Sequence, residues 1–368
     1  MQDKFGLTPL HLAAFNGHHN VVRCLLNPTD SEFCDSDEED TNAFTSIIPA
    51  DAKIVDYENR TPLHAACWRA HNSDYLSIVR SLLKANVDIN GKDKHKRTAL
   101  FWHLMNFDYS ELVEYLLKNG ADCTICDIQG RQPIHYAAYY ARLNAVRLLI
   151  KYQAVLDCVD NDFCTPLHAG IKSSEVTKLL LACPINITAK DKLSRSPLAY
   201  AILKQSFKSC KKLLRALCST GNTNSSNNKL SSVICKSIRA STTPNLDYLL
   251  KGETDTERCS IFHYCALADK DGQILQYIID KKFFTSHAIN EHLLTPHGKN
   301  VVHLAAFRDN LPFLEKLETL LSPDGFFRLI NAKDKYSRKP LLIASCFGKI
   351  IRYFLSLLLF LTPFRLFF

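Results

Sequence analysis

Short apolar segments recur along the chain, and most of them begin after a threonine or a serine. The clearest copy is Thr8-Pro9-Leu10-His11-Leu12-Ala13-Ala14, and a second apolar pair, Leu25-Leu26, follows it. A side-chain oxygen before proline is a typical helix start, because the oxygen caps the first turn and proline needs no hydrogen bond there. The pattern therefore predicts two short helices per copy and an all-α fold.

The copies follow one another at a nearly regular spacing. From Thr61 to Ser232, successive copies begin 31 to 37 residues apart, a period typical of repeat proteins. Gly120 and the stretch from Asp127 to Gly130 suit the tight turns that must join such units. The copies after the first begin at Thr61, Thr98, Gln132, Thr165, Ser196, Ser232, Ser260, Asn300 and Lys339.

This segment and its period resemble the ankyrin repeat family, whose pattern contains Thr-Pro-Leu-His followed by alanine. The resemblance runs from about Asp3 to Gly348, is strongest through about Leu217 and is weakest at Ser232. It implies an all-α, helix-turn-helix solenoid with short inter-repeat loops or hairpins. It also implies a non-catalytic scaffold or adaptor that binds other proteins.

We expect four segments along the chain. Residues 1–218 form a block of about six repeats, 219–231 a polar linker, 232–348 a series of degenerate repeats and 349–368 an apolar tail outside the repeats. An insertion at 28–56 interrupts the first block. It carries seven acidic residues and no basic one between Asp30 and Asp40, which predicts a disordered acidic loop.

The tail has two alternative interpretations. Its uncharged run, 353–364, is 12 residues long, whereas a membrane helix needs about 20. A membrane anchor is therefore the second interpretation, after an incorrect gene end. Because the chain starts and stops on repeats without polar capping units, we expect it to be part of a larger protein, such as a tankyrase-type ADP-ribosyltransferase, a channel or a ubiquitin ligase.

Composition narrows the class of protein further. The 368 residues include 45 Lys and Arg against 37 Asp and Glu, a formal charge of +8, and 14 cysteines, which are too dilute for a disulfide scaffold. No basic and apolar leader opens the sequence. Cysteines that stay reduced, together with a first segment that does not resemble a secretory leader, predict a cytoplasmic protein, with the nucleus as an alternative.

No residue pattern predicts catalysis, a cofactor or a metal site. Cys123 and Cys126 have the spacing of half a zinc site, but no second pair follows at the usual distance. Histidine recurs at the fourth position of the repeated segment, so these side chains form a row and do not converge on one ion. We interpret them as scaffold residues that hydrogen-bond the backbone between repeats, namely His11, His64, His135, His168, His263 and His303.

The resemblance also implies where a partner binds, at the loop tips and at the exposed ends of the first helices. Of thirty such positions in the first six repeats, ten are Lys or Arg and two are acidic. This count predicts a basic groove with aromatic anchors for acidic or phosphorylated segments. The residues selected are Lys4, Phe15, Arg60, Trp68, Arg69, Lys94, Arg97, Arg131, Tyr139, Tyr140, Lys172 and Arg195.

Two other interpretations of the same surface stay open. The basic side chains could be solvated and Trp68 could pack on a neighbouring repeat, or the surface could bind nucleic acid. Ser36 in the acidic loop is a candidate phosphorylation site, and this loop could fold back on Arg60, Arg69 and Arg97 as a competitor of acidic partners.

Overall fold

The computed structural model describes residues 2–27, 49–220, 259–283, 299–347 and 353–354. All regular structure in these ranges is helical, and no β-strand occurs among them. The predicted all-α fold of helix pairs is therefore confirmed. The chain divides into two compact units, Met1–Leu180 and Leu181–Phe368.

The first unit consists of helix pairs that stack side by side. Its helices are α1 (Pro9–Asn16), α2 (His19–Leu26), α3 (Pro62–Arg69), α4 (Ser73–Lys84), α5 (Ala99–Asn106), α6 (Ser110–Lys118), α7 (Pro133–Tyr139), α8 (Leu143–Lys151), α9 (Pro166–Ala169), which continues as a 3₁₀ turn (Gly170–Lys172), and α10 (Ser174–Leu181). First helices pack on first helices, as α1 does on α3 and α3 on α5, and second helices pack on second helices, as α2 does on α4.

The repeated segment explains where each first helix begins. In α1 the Thr8 hydroxyl lies 2.8 Å from His11 Nδ1, and the backbone N–H of Thr8 donates to the same nitrogen at 3.2 Å. The backbone N–H of His11 in turn donates to the Thr8 hydroxyl, which completes a reciprocal cap of the first turn. Leu10, Ala13 and Ala14 are buried, and the small alanines allow the next helix to approach closely.

The second unit continues the pairing and adds one extra helix. Its helices are α11 (Pro197–Leu203), α12 (Phe207–Thr220), α13 (Ile261–Ala268), α14 (Gln273–Asp280), α15 (Val301–Arg308), α16 (Leu311–Leu320), α17 (Pro323–Asn331) and α18 (Pro340–Phe347). Helix α11 packs on α13 and α12 packs on α14. The extra helix, α17, packs between α16 and α18.

Several predicted segments lie outside the described residues. These are residues 28–48 of the insertion predicted at 28–56, with Ser36, residues 221–231 of the linker predicted at 219–231, the copy at Ser232 and most of the tail. Residues 49–56 of that insertion are described, and Ala52 and Asp56 are buried there, so the predicted disordered loop does not include them. The domain boundaries drawn from the sequence therefore stay a prediction. Two tail residues are described: the Tyr353 hydroxyl donates to Glu318 Oε2 at 2.7 Å, and Phe354 is buried. None of the described helices combines the length and apolar character needed to cross a bilayer.

The loops between repeats are hairpins that share one backbone conformation. The third residue after each loop aspartate has a φ between 57° and 79°, the left-handed region. Neighbouring hairpins also bond to each other: the N–H of Lys94 donates to the Glu58 carbonyl at 2.9 Å, and the N–H of Asn161 to the Gln129 carbonyl at 2.9 Å. The left-handed residues are Gly6, Asn59, Lys96, Gly130, Phe163, Ser194 and Ser337.

This conformation predicts a stabilising substitution at Phe163, whose φ is 58°. A left-handed backbone costs an L-residue about 1–2 kcal/mol, and glycine avoids that cost at the expense of extra chain entropy. Because the Phe163 ring is largely exposed, Phe163→Gly is expected to raise the free energy of unfolding by about 0.5–1 kcal/mol. Urea unfolding measures this change. Phe163→Ala is the control, and an equal gain there would contradict a backbone origin.

Candidate functional site

The repeated histidines connect neighbouring repeats through the backbone. His11 Nε2 lies 2.9 Å from the Arg60 carbonyl, and His64 Nε2 lies 3.1 Å from the Arg97 carbonyl. His135 and His303 make the same contact at 3.0 Å. Since Nδ1 accepts a backbone N–H in each of these residues, the proton of the neutral ring lies on Nε2. The predicted scaffold role of these four histidines is confirmed.

Asp93 holds the third hairpin and the following helix together. Its side chain is 2% exposed, and Oδ1 accepts the backbone N–H groups of His95 and Arg97, both at 2.8 Å. Oδ2 accepts Arg97 Nε and Trp102 Nε1, both at 2.9 Å. Burial by itself would raise the pKa of Asp93, but these hydrogen bonds outweigh burial and the pKa lies below its ordinary value. The carboxylate is therefore ionised at neutral pH.

The same arrangement recurs in other repeats and changes the expected charge of the groove. Four arginines selected from the sequence each pair with the aspartate four residues earlier, so they are not independent cations. The thirty positions counted in the sequence omitted these buried aspartates, so the net positive charge of this face is smaller than that count implies. The pairs are Asp56–Arg60, Asp93–Arg97, Asp127–Arg131 and Asp191–Arg195.

Two other selected cations stack on exposed aromatic rings of the preceding repeat. The Arg69 guanidinium lies 5.1 Å from the centre of the Phe15 ring, and Lys172 Nζ lies 5.6 Å from that of Tyr139. Tyr139 is 54% exposed and packs edge-on against Tyr140 at 5.0 Å. Arg69 and Lys172 form no ion pair in the described part of the chain. Each pair therefore presents an aromatic face and a positive charge that forms no ion pair with an acidic residue in the described ranges.

Trp68 and Trp102 belong to the second and third repeats. The two pairs belong to the first and second repeats and to the fourth and fifth repeats. The two tryptophan rings meet edge to face at 4.9 Å, and the guanidinium groups of Arg60 and Arg97 lie 5.6 Å and 5.1 Å from the centre of the Trp102 ring. Trp68 thus packs on a neighbouring repeat while staying partly exposed. Sequence reasoning missed Trp102. The sequence does contain a signal for Trp102. It follows Asp93 by nine residues, the same offset by which Tyr136 follows Asp127.

Side-chain contacts link these groups along the first unit. Arg97 Nη1 lies 3.9 Å from Met105 Sδ, Arg142 Nη2 donates to the Met105 carbonyl at 3.0 Å, and the Arg142 guanidinium lies 5.8 Å from the centre of the Tyr140 ring. We name the whole set the aromatic–cation row. Its members are Phe15, Trp68, Arg69, Trp102, Tyr139, Tyr140 and Lys172.

The remaining selected residues lie at hairpin tips, and the cysteine pair lies in a loop. Lys4 stacks on Phe5 at 5.1 Å, and Lys94 Nζ pairs with Glu58 at 3.0 Å. Cys123 is partly buried and Cys126 is exposed. Within the described ranges no three His, Cys, Asp or Glu side chains converge in a way that could hold a metal ion.

Comparison with known proteins agrees with this arrangement. The family described as ankyrin repeats, in its three-copy form, matches residues 1–93, 34–127, 68–162 and 100–191. The chain is similar to ankyrin repeat domain-containing protein SAT10 of Stachybotrys chartarum, with 29% identity over 189 residues, which is 50% of this chain and 8% of that protein.

Two further relatives are much longer than the segment that they share with this chain. Rabankyrin-5 of Mus musculus is 26% identical over 184 residues, 48% of this chain and 14% of its own length. Transient receptor potential cation channel subfamily A member 1 of Drosophila melanogaster is 28% identical over 309 residues, 73% of this chain and 22% of the channel. The chain therefore spans less than a quarter of each of these relatives.

Proposed function

This chain belongs to the ankyrin repeat family, and from that premise we propose that it is a non-catalytic interaction array that binds partner proteins along the aromatic–cation row. The observation that carries the proposal is the exposure of aromatic rings in a connected row, with Phe15 at 36%, Tyr139 at 54% and Tyr140 at 39%. Aromatic residues and arginine dominate the energetics of protein interfaces. A row built of them is an interaction surface.

The charge of the row favours acidic or phosphorylated partner segments. Arg69 and Lys172 form no ion pair among the described residues, and each is held over a ring. Carboxylates and phosphates form short, charge-assisted hydrogen bonds with such groups. A partner that places apolar side chains against Phe15 and Tyr139, and anions beside them, would use both properties.

The chain is proposed to act as the recognition part of a larger protein. It covers less than a quarter of the length of the long relatives, one of which is a channel. In the described residues no cysteine forms a disulfide bond, and Cys126 and Cys346 are exposed. Such thiols persist in a reducing compartment, which supports the cytoplasm or nucleus as its location.

The proposal is tested with Arg69→Ala/Tyr139→Ala in the full chain. Both side chains are exposed, so the variant is expected to fold while partner affinity falls about thirtyfold or more, the loss that follows from one true hot spot. The intact and variant proteins capture partners from nuclease-treated lysate, and mass spectrometry identifies them. Purified partners then give dissociation constants for both proteins.

A matched control removes the same residue types from the second-helix side of the unit. Arg147 is exposed on α8 and Tyr152 directly follows that helix, so Arg147→Ala/Tyr152→Ala is expected to keep the partners. If the row variant retained every partner, or if the captured material vanished after nuclease treatment, the row would not be a protein-binding surface.

A further inference from the structure

Positive charge is concentrated in one repeat of the second unit. Residues 181–220 contain eight Lys and Arg residues and one acidic residue, Asp191, whereas the whole chain has a net charge of only +8. Arg195 neutralises Asp191 in an ion pair at 2.6 Å. The segment therefore has a net charge of +7.

Four of these cations lie on one face of α12. Positions 208, 211, 212 and 215 follow the spacing i, i+3, i+4, i+7, which places them along one side of a helix over about 10 Å. The helix contains no acidic residue. Its opposite face, Cys210, Leu213, Leu214 and Leu217, is buried. We name the cationic face the α12 stripe, and its members are Lys208, Lys211, Lys212 and Arg215.

The neighbouring helix α14 holds two members of the stripe in position. Lys211 Nζ lies 5.3 Å from the centre of the Tyr277 ring, and Arg215 Nε donates to the Tyr277 hydroxyl at 3.2 Å. Tyr277 itself is buried. Side chains that are already ordered lose less entropy when a ligand binds, so this part of the stripe is prepared for an anionic partner.

We propose that the α12 stripe is a second binding surface, separate from the aromatic–cation row, and that its partner is an acidic protein segment. Along the helix, each cation of the stripe can form an ion pair with an Asp or Glu side chain of such a segment. The absence of acidic residues on α12 means that such a segment meets no like charge there. This surface is independent of the function proposed for the first unit.

The structure of the stripe disfavours the other common polyanions. No large apolar side chain of α12 is exposed in the described structure, so the stripe offers no anchor for a bilayer. Single-stranded nucleic acids need aromatic platforms for stacking, and the ring beneath the stripe, Tyr277, is buried. Because α14 packs alongside it, α12 does not protrude as a helix must to enter a DNA groove.

The test uses the full chain and a labelled peptide of eight glutamates, with an eight-glutamine peptide as the uncharged probe. Lys208→Glu/Arg215→Glu reverses two exposed charges. At about 50 mM salt it is expected to weaken binding of the glutamate peptide about tenfold or more, because weakly screened attraction becomes repulsion. Lys208→Gln/Arg215→Gln, the milder substitution, is expected to give a smaller loss in the same direction if the reversal disturbs folding.

Two controls separate this surface from others. Lys333→Glu/Lys335→Glu changes the charge equally at two exposed positions of the same unit and is expected to leave affinity within about twofold. An equal loss there, or no loss in either stripe variant, overturns the proposal. Loss of peptide binding in Arg69→Ala/Tyr139→Ala alone also overturns it, while supporting the row.

Single-stranded RNA and phosphatidylserine vesicles are measured in parallel with the peptide. The proposal expects the glutamate peptide to be the ligand that depends on the stripe. Tighter binding of RNA or vesicles, with the same dependence on Lys208 and Arg215, would show that the partner is not an acidic protein segment.

Discussion

Replacing Asp93 with alanine is expected to lower the free energy of unfolding by about 3–5 kcal/mol, the cost of breaking a buried ion pair from one side. The substitution leaves the Arg97 guanidinium without its counter-ion and removes the acceptor of Trp102 Nε1. The backbone N–H groups of His95 and Arg97 also lose their acceptor. Unsatisfied donors of this kind are part of that loss, since each costs about 1–3 kcal/mol only where water cannot replace the lost bond.

Urea unfolding of the two proteins at neutral pH measures this loss. Asp93→Asn is the informative control, because its amide oxygen can still accept the backbone N–H groups while the charge is gone. It is expected to cost less than the alanine variant, and the difference reports the backbone bonds. A loss below about 1 kcal/mol for Asp93→Ala would place it among ordinary surface substitutions and contradict the role of Asp93 as a connector.

Acidification from pH 7.5 to 5 is expected to destabilise the protein by several kcal/mol. Burial lowers the pKa of His11, His64 and His135, and it lowers the pKa of His103 to about 4. An imidazole in the unfolded chain has a pKa of about 6.5. Below that value the unfolded chain binds protons that the folded chain excludes, so stability is full above pH 6.5 and falls as the pH drops.

The slope of this loss is about 1.4 kcal/mol per pH unit for each imidazole that stays neutral in the folded protein. Protonation of Nδ1 would also place a donor against the backbone N–H that it now accepts, as at His64 and Thr61. The pKa of Asp93 is lowered below its ordinary value, so its contribution disappears only in stronger acid. The interval from pH 6.5 to 5 therefore reports the buried histidines and not Asp93.

Denaturant unfolding at several pH values measures the slope. His64→Gln is expected to be less stable at pH 7.5 and to show a shallower pH dependence, because one buried imidazole is gone. His18, which is exposed, supplies the comparison: His18→Gln is expected to keep the full slope. A flat profile between pH 7.5 and 5 would mean that the buried histidines do not govern acid stability.

Trp102 contributes both to the stability of the first unit and to its proposed binding surface. Asp93 accepts its indole N–H, and Trp68 packs against its ring. The Asp93 carboxylate therefore holds the Trp102 ring, a member of the row, in its position. Loss of partner affinity in Asp93→Asn, at temperatures where the protein is folded, would reveal this connection without any change to a contacting residue.

The two surfaces differ in what a sequence pattern reveals. Trp68, Arg69 and Tyr139 could be selected because they follow the alanine pair of a recognisable repeat. The α12 stripe can be recognised without aligning the repeats, because its charges recur at helical spacing. Its contact with Tyr277, in contrast, joins Arg215 to a residue 62 positions later in the sequence. Spacing within a helix is visible in a sequence, whereas contacts between distant helices are not.

The sequence by itself determined the described repeats, the starts of their first helices and the role of four of the six repeated histidines, because these depend on contacts within a few residues and on one repeated offset. Thr8, Pro9 and His11 form their cap within a single turn. Only the tertiary structure decided which cations of the groove are independent. Arg60 is neutralised by Asp56 and covers Trp102 of the next repeat, whereas Arg69 covers Phe15 and pairs with no acid in the described chain. Stacking brings together side chains that lie 42 and 54 residues apart, and the balance of charge on a surface depends on those neighbours.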